Sequence, residues 1–142
     1  MAVSRETRTA RLEVAEPFRP ALAGLGHFSH VIALWWPDQL DPAWGAILQS
    51  EPPYAPGHVT GVFASRAPYR PNPIALTVCP ILSVDEAAGI VRVADIDALD
   101  GSPLFDLKAY FPVCDRVRAA RIPAWLADWP DWLPEEGLGL EG

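Results

Sequence analysis

The sequence predicts an all-β fold, barrel or sandwich, on three observations. Short strand-like apolar stretches recur at near-regular spacing with turn residues between them, a pattern that does not suit alternating βα units. The stretch His30 to Trp36 is continuously apolar after its histidine, as in a strand buried on both faces or a barrel wall. With 142 residues, half of them apolar, the chain suffices for one domain with a packed core and is short for two.

Residues 1–9 alternate charge without an apolar run and are expected to be a flexible N-terminus; the missing apolar segment argues against secretion and for a cytoplasmic protein. From Ala10, Leu12 and Val14 alternate with Arg11 and Glu13 as a strand with one wet face, ended by Pro17 and Pro20. Ala21 to Phe28 holds Gly24 and Gly26 and is expected to form a single turn. After the His30 to Trp36 strand, Pro42 to Gln49 reads as a short helix in a long excursion, with Asp41 as N-cap. His58 to Ala64 is the next strand. Ile74 to Val84 is another, in which Pro80 implies an edge position or a bulge. Ile90 to Ile96 and Leu104 to Phe111 are expected to pair as a hairpin around Asp100-Gly101, bringing Asp97 towards Asp106. Arg116 to Ala127 reads as a basic helix broken by Pro123. Residues 10–122 thus form the domain and 123–142 a C-terminal arm.

Between two of these strands lies Gly61 to Thr77, G-V-F-A-S-R-A-P-Y-R-P-N-P-I-A-L-T. Pro68, Pro71 and Pro73 fix φ near −65° and bias Ala67, Arg70 and Asn72 to extended geometry, so Arg66, Arg70 and Asn72 project from a stiff loop. Its two readings are a solvated proline-rich loop and a rigid holder of a ligand. Asp95, Asp97, Asp100 and Asp106 form a second cluster, suited to sugar hydroxyls, a cationic ligand or a mobile proton, or else to a turn and a wet strand face.

Composition narrows the classes. No run of about 18 apolar residues exists to span a bilayer. Cys79 and Cys114 stand apart and read as small buried hydrophobes, and three histidines without clustered ligands argue against a metal site. Eleven basic against 18 acidic residues disfavour a broad nucleic-acid surface but leave room for a local patch of Arg66, Arg70, Arg116, Arg118 and Arg121.

The loop resembles the signature of the TsaA-like or TrmO family, also called YaeB-like, whose members carry close variants of G-V-F-A-T-R-S-x-x-R-P-N-P-I-G. F-S-H-V-I-A-L-W-W at Phe28 to Trp36 and D-I-D-A-L-D-G-S-P-L-F-D-L-K-A-Y at Asp95 to Tyr110 agree with the same family. The departures are mild: Ser65 for Thr, Ala67 for Ser, Ala75 for Gly, Ser102 for Thr and Ala109 for Pro. The sequence reads as a short form, without the family's N-terminal P-R-Q segment and without the C-terminal extension of longer bacterial members.

The resemblance implies a single compact β-barrel with short helices and a long proline-rich loop, forming a homodimer. It further implies a methyltransferase using S-adenosyl-L-methionine, with a possible tRNA substrate: the exocyclic nitrogen of threonylcarbamoyladenosine next to the anticodon. By resemblance Asp38, Gln39, Arg66, Asn72, Leu76, Asp97, Asp100, Gly101 and Ser102 surround the cofactor, and Arg70, Asp106 and Lys108 are the catalytic candidates. Lys108 reads equally as the ion-pair partner of Asp106. The alternative is a module that binds S-adenosylmethionine or another adenine nucleotide and transfers nothing, or a methyltransferase acting on another substrate. Trp125, Trp129 and Trp132, in segments that look half enclosed, point to the dimer surface.

Overall fold

Alternation in the short apolar runs becomes a curled antiparallel sheet in the computed structural model, which describes residues 1–134. Its strands are β1 (Ala2–Arg5), β2 (Thr9–Glu13), β3 (His30–Trp35), β6 (Ala75–Asp85), β7 (Ile90–Ala94) and β8 (Leu104–Ala109). A separate small ladder joins β4 (Gln49–Ser50) to β5 (Thr60–Gly61). The large sheet runs β1-β2-β7-β6-β3-β8. Every second residue turns inward: Val3, Leu12, Val31, Cys79, Val91 and Val93 are fully buried on its concave side. Each buried Val or Leu contributes about 1.5 to 3 kcal/mol relative to exposure.

Residues 1–9, expected to be flexible, instead supply β1. Val3 is buried against the sheet, and Glu6 accepts two hydrogen bonds from the Arg92 guanidinium, at 3.1 and 2.9 Å. A single apolar side chain and one carboxylate carry no local strand signal, and the carboxylate's partner is 86 residues away.

The sheet curls until β1 meets the start of β8. Val3 N donates to Ser102 O (2.9 Å), Gly101 N to Val3 O (2.7 Å) and Leu104 N to Met1 O (2.9 Å). Beyond Leu104 the seam opens, so the barrel is closed at one end only. The opening is an apolar cavity of about 670 Å³, lined by Val14, Leu22, Leu25, Phe28, Leu107 and Phe111 among others.

Several expected elements are corrected. The Asp100-Gly101 turn forms, with Gly101 at φ 80°, but it does not make a hairpin: β7 pairs with β2 and β6, and β8 pairs with β3. Turn residues specify a reversal of the chain, not which edge receives the returning strand. The strand expected over His58 to Ala64 shrinks to β5, followed by a 3-10 turn at Val62–Ala64. The helix expected from Pro42 to Gln49 is a 3-10 turn, Pro42–Ala46, with Asp41 capping Ala43 N at 2.9 Å as expected. The basic helix expected over Arg116 to Ala127 is absent; one turn, α1 (Pro112–Asp115), precedes it and a 3-10 turn, Ala124–Leu126, lies within it.

Pro80 sits in the interior of β6, opposite His30. Because His30 O accepts from Tyr110 on the β8 side, Pro80 N faces away from β3, and β7 begins pairing only at Ile81, where the register shifts. The expected bulge therefore adjoins the proline.

The tryptophans assigned to a dimer surface each meet a side chain of their own chain, while Trp125 and Trp132 stay exposed. Trp125 stacks on His58 (4.7 Å, 9°), Trp129 meets Tyr54 (5.0 Å) and Arg116 lies 5.5 Å over Trp132. Residues 135–142 of the expected arm lie outside the described residues.

Candidate functional site at the end of strand β3

The proline-rich loop follows the 3-10 turn and is closed by its own arginine. Arg70 Nη1 donates to Ser65 O (3.0 Å) and Ala67 O (3.3 Å), and Nη2 donates to Val62 O (2.9 Å). Ser65 is buried and bridges Val62 O to Ala67 N. Trp44 meets Tyr69 edge to face at 5.9 Å, so the Pro42–Ala46 turn packs on the loop. Arg70 is thus turned inward as a brace, not aimed out of the loop as the proline pattern suggested: the prolines remove donors, and the guanidinium satisfies Ser65 O and Ala67 O and adds to the bonds that Val62 O already accepts from Ser65. Arg66 is the outward one, held by a single bond from Nη2 to Leu76 O (3.2 Å).

Opposite Arg66, the end of β3 gathers most of the remaining candidates. Trp35 Nε1 donates to Thr77 Oγ1 (3.1 Å), and Thr77 Oγ1 donates to Asp97 Oδ1 (3.3 Å). Trp36 N donates to Pro103 O and Asp38 N to Trp36 O, each at 2.9 Å, while Gln39 Nε2 reaches Asp100 O at 3.1 Å. Asp100 accepts Arg5 N at 2.7 Å. Ser102 is buried, with Oγ donating to Leu99 O at 2.7 Å. Asp38, Gln39, Arg66, Leu76, Asp97 and residues 100–102 therefore belong to one neighbourhood, in which Leu76 faces Leu34 across the ladder. Asn72 lies on the loop and its carbonyl accepts Ile74 N (2.8 Å). Sequence reasoning missed Thr77 and Arg5. Thr77 stands beside Leu76 in the motif, but its contact with Trp35 exists only through the β3–β6 register.

Asp106 and Lys108 stand apart from the loop, on the other side of β3, opposite Leu34 and Ile32. They pair with each other at 2.8 Å, and Asp106 Oδ1 accepts Leu107 N at 2.9 Å. The three catalytic candidates are therefore not brought together. Cys79 is buried as expected, and burial, then Asp97 and Asp95, push its thiol up to about 12. Cys114, expected to be buried, is exposed. Among the described residues no group of three or more His, Cys, Asp or Glu is placed to hold a metal ion, and no helix is long and apolar enough to cross a membrane.

The family model of the tRNA-methyltransferase O N-terminal domain matches residues 2–116. The chain belongs to this family. A probable S-adenosyl-L-methionine-binding protein of Halobacterium salinarum is 37% identical over 99 residues, covering 70% of this chain and 73% of that protein. The tRNA (adenine(37)-N6)-methyltransferase of Mus musculus is 37% identical over 90 residues, which are 63% of this chain and 20% of the mouse protein. The crystal structure of TrmO from Pseudomonas aeruginosa superimposes with a TM-score of 0.63 at 36% identity, over 80% of this chain and 47% of that one. The chain thus spans less than half of the solved TrmO and a fifth of the mouse enzyme. As a tRNA-methyltransferase O N-terminal domain it carries its family signature, Gly61 to Thr77, on the loop braced by Arg70.

Proposed function

We propose that this domain binds S-adenosyl-L-methionine at the end of β3 and methylates an adenosine nitrogen of a tRNA, by resemblance the exocyclic nitrogen of threonylcarbamoyladenosine beside the anticodon. The observation that carries the reading is the convergence of Gln39, Arg66, Leu76, Asp97 and the 100–102 turn in a chain of this family. The donor set fits the cofactor. Asp97, with one oxygen already held by Thr77, keeps acceptor capacity for ribose hydroxyls, and the carboxylates offset a cationic sulfonium. Arg66 retains donors for the cofactor's carboxylate, and Leu76 offers apolar contact. When bound, the cofactor supplies an electrophilic methyl group on a positively charged sulfur. The chain's own contribution is alignment: Arg70 stiffens the loop, and the loop holds Arg66 and Asn72 towards the cofactor.

A second reading has support of its own. Arg70, Asp106 and Lys108 are all engaged with their own chain, and the formal net charge is −7, which favours a module that holds the cofactor without transfer. The test is incubation with methyl-labelled cofactor and tRNA from matched cells. Label in the RNA is expected. Label bound to protein alone selects the module, and no binding by titration at millimolar cofactor overturns both.

The outer faces of β3, β6 and β8 leave Trp36, Leu76, Val78 and Phe105 exposed, which supports a two-fold homodimer, and the relatives' tRNA chemistry supports a cytoplasmic protein.

A further inference from the structure

A basic arm runs over the surface beyond β8. Tyr110 N still donates to His30 O (3.1 Å), but after α1 the chain leaves the sheet, and every residue from Arg116 to Pro123 is exposed. The stretch from Arg116 to Ala127 holds three arginines and no acid, in a chain whose formal net charge is −7. Ala119 takes φ 50°, so the backbone bends beside Arg118 instead of continuing as a helix. Asp128 and Asp131 follow in the chain and end the basic stretch.

These arginines are the unengaged ones. Every other basic side chain except Arg8 donates to a carbonyl or pairs with a carboxylate of its own chain. Among the described residues Arg118 and Arg121 have no such partner, and Arg116 only lies over the Trp132 ring at 5.5 Å. Asp115, next to Arg116 in the chain, accepts Phe111 N at 2.8 Å.

Aromatic side chains fix the arm in place. Trp125 lies flat on His58 and Trp129 meets Tyr54, so the arm rests on residues 54–58, which lead through β5 into the loop carrying Arg66. Trp125 is stacked by one face and still 47% exposed. An indole with a face in solvent, beside guanidiniums without partners, is what a single RNA strand needs: its phosphates take the charge and its bases the stacking. An acidic protein segment would satisfy the guanidiniums but brings no flat base to the indole.

We propose that this arm holds the RNA strand that carries the target adenosine, with Arg118 and Arg121 on phosphates and Trp125 under a neighbouring base. The proposal rests on the tRNA reading above and gives it a surface. Arg118, Arg121 and Trp125 lie beyond residue 116, where the family match ends.

The experiment is fluorescence anisotropy of a labelled anticodon stem-loop RNA with the full chain, at roughly 50 to 200 mM salt. The slope of log affinity against log salt reports the phosphate contacts. Arg118→Gln and Arg121→Gln should each lower that slope by about 1, and the double variant should bind about tenfold more weakly at the lowest salt. Trp125→Ala should weaken binding about tenfold with the slope unchanged. If it lowers the melting temperature, the arginine variants decide alone. S-adenosylmethionine affinity should stay at the parent value in both arginine variants. Arg8→Gln removes the same charge outside the arm and should leave the slope unchanged. Arginine variants with the parent's slope, or an equal loss in the Arg8 variant, overturn the arm as the RNA surface and leave the tRNA reading standing. Polyuridylate should displace the label far better than polyglutamate at equal charge, and equal displacement overturns the RNA assignment in favour of an acidic protein segment. A parent that binds no RNA at the lowest salt overturns the tRNA reading and the arm together.

Discussion

Arg66 and Arg70 are four residues apart in one motif and do different work. Arg70 donates to three carbonyls of its own loop, so Arg70→Ala leaves half-buried acceptors without partners and should lower stability by about 1 to 3 kcal/mol, seen as a lower denaturant midpoint. Arg66 makes one bond at an exposed position. Arg66→Ala should leave the midpoint unchanged while weakening S-adenosylmethionine by about 1.5 to 3 kcal/mol, the range for a hydrogen bond to a charged group. Equal affinity in the Arg66 variant and the parent, by titration calorimetry, would return the loop to an ordinary surface turn. The cysteines divide in the same way. With its thiol pushed up to about 12, Cys79 stays protonated in the fold while an unfolded cysteine ionises near 9.0. The unfolded state therefore loses its proton first, and this group's contribution to stability is present below pH 9 and declines as pH rises from there towards 12. At pH 8 a thiol reagent should label Cys114 alone, and two thiols should react only after unfolding.

At the scale of elements, two turns show how a glycine's surroundings matter. Gly101 lies at φ 80°, and a Cβ added there would have no atom within 4 Å, so Gly101→Ala should cost only the backbone strain of a positive φ, about 1 kcal/mol. Gly89 lies at φ 71°, and a Cβ there would stand 2.5 Å from Val14 O. Gly89→Ala must displace the backbone joining β2 to β7 and should cost clearly more, about 2 to 4 kcal/mol. Thermal melts of the two variants give the comparison, and equal losses would mean that the close approach to Val14 does not exist in solution. Turn chemistry was readable at Asp100-Gly101 and at Asp41, where one residue type dictates one conformation. Pairing was not: β1 has no apolar pattern of its own, and β7 and β8 flank a turn without touching as a ladder.

For the whole molecule, the short apolar stretches and turn residues made the all-β fold legible, and the motifs marked the residues of the proposed cofactor neighbourhood, because alternation, proline and charge act within a few residues along the chain. Arg66, Leu76, Asp97 and the 100–102 turn are near one another through strand register, yet each carried its own mark in a local motif. The role of Arg70, the Trp35–Thr77–Asp97 chain and the ion pair on the β8 edge were a different matter. Each depends on which carbonyl or strand comes to lie alongside, and that follows from sheet order β1-β2-β7-β6-β3-β8. Sheet order follows from long-range burial of alternating side chains, a non-directional force that many pairings would satisfy in part. Local covalent constraints therefore wrote the strands, turns and stiff loop into the sequence, whereas the edge left open, the arginine turned inward and the seam at Met1 arise from closing the sheet on itself.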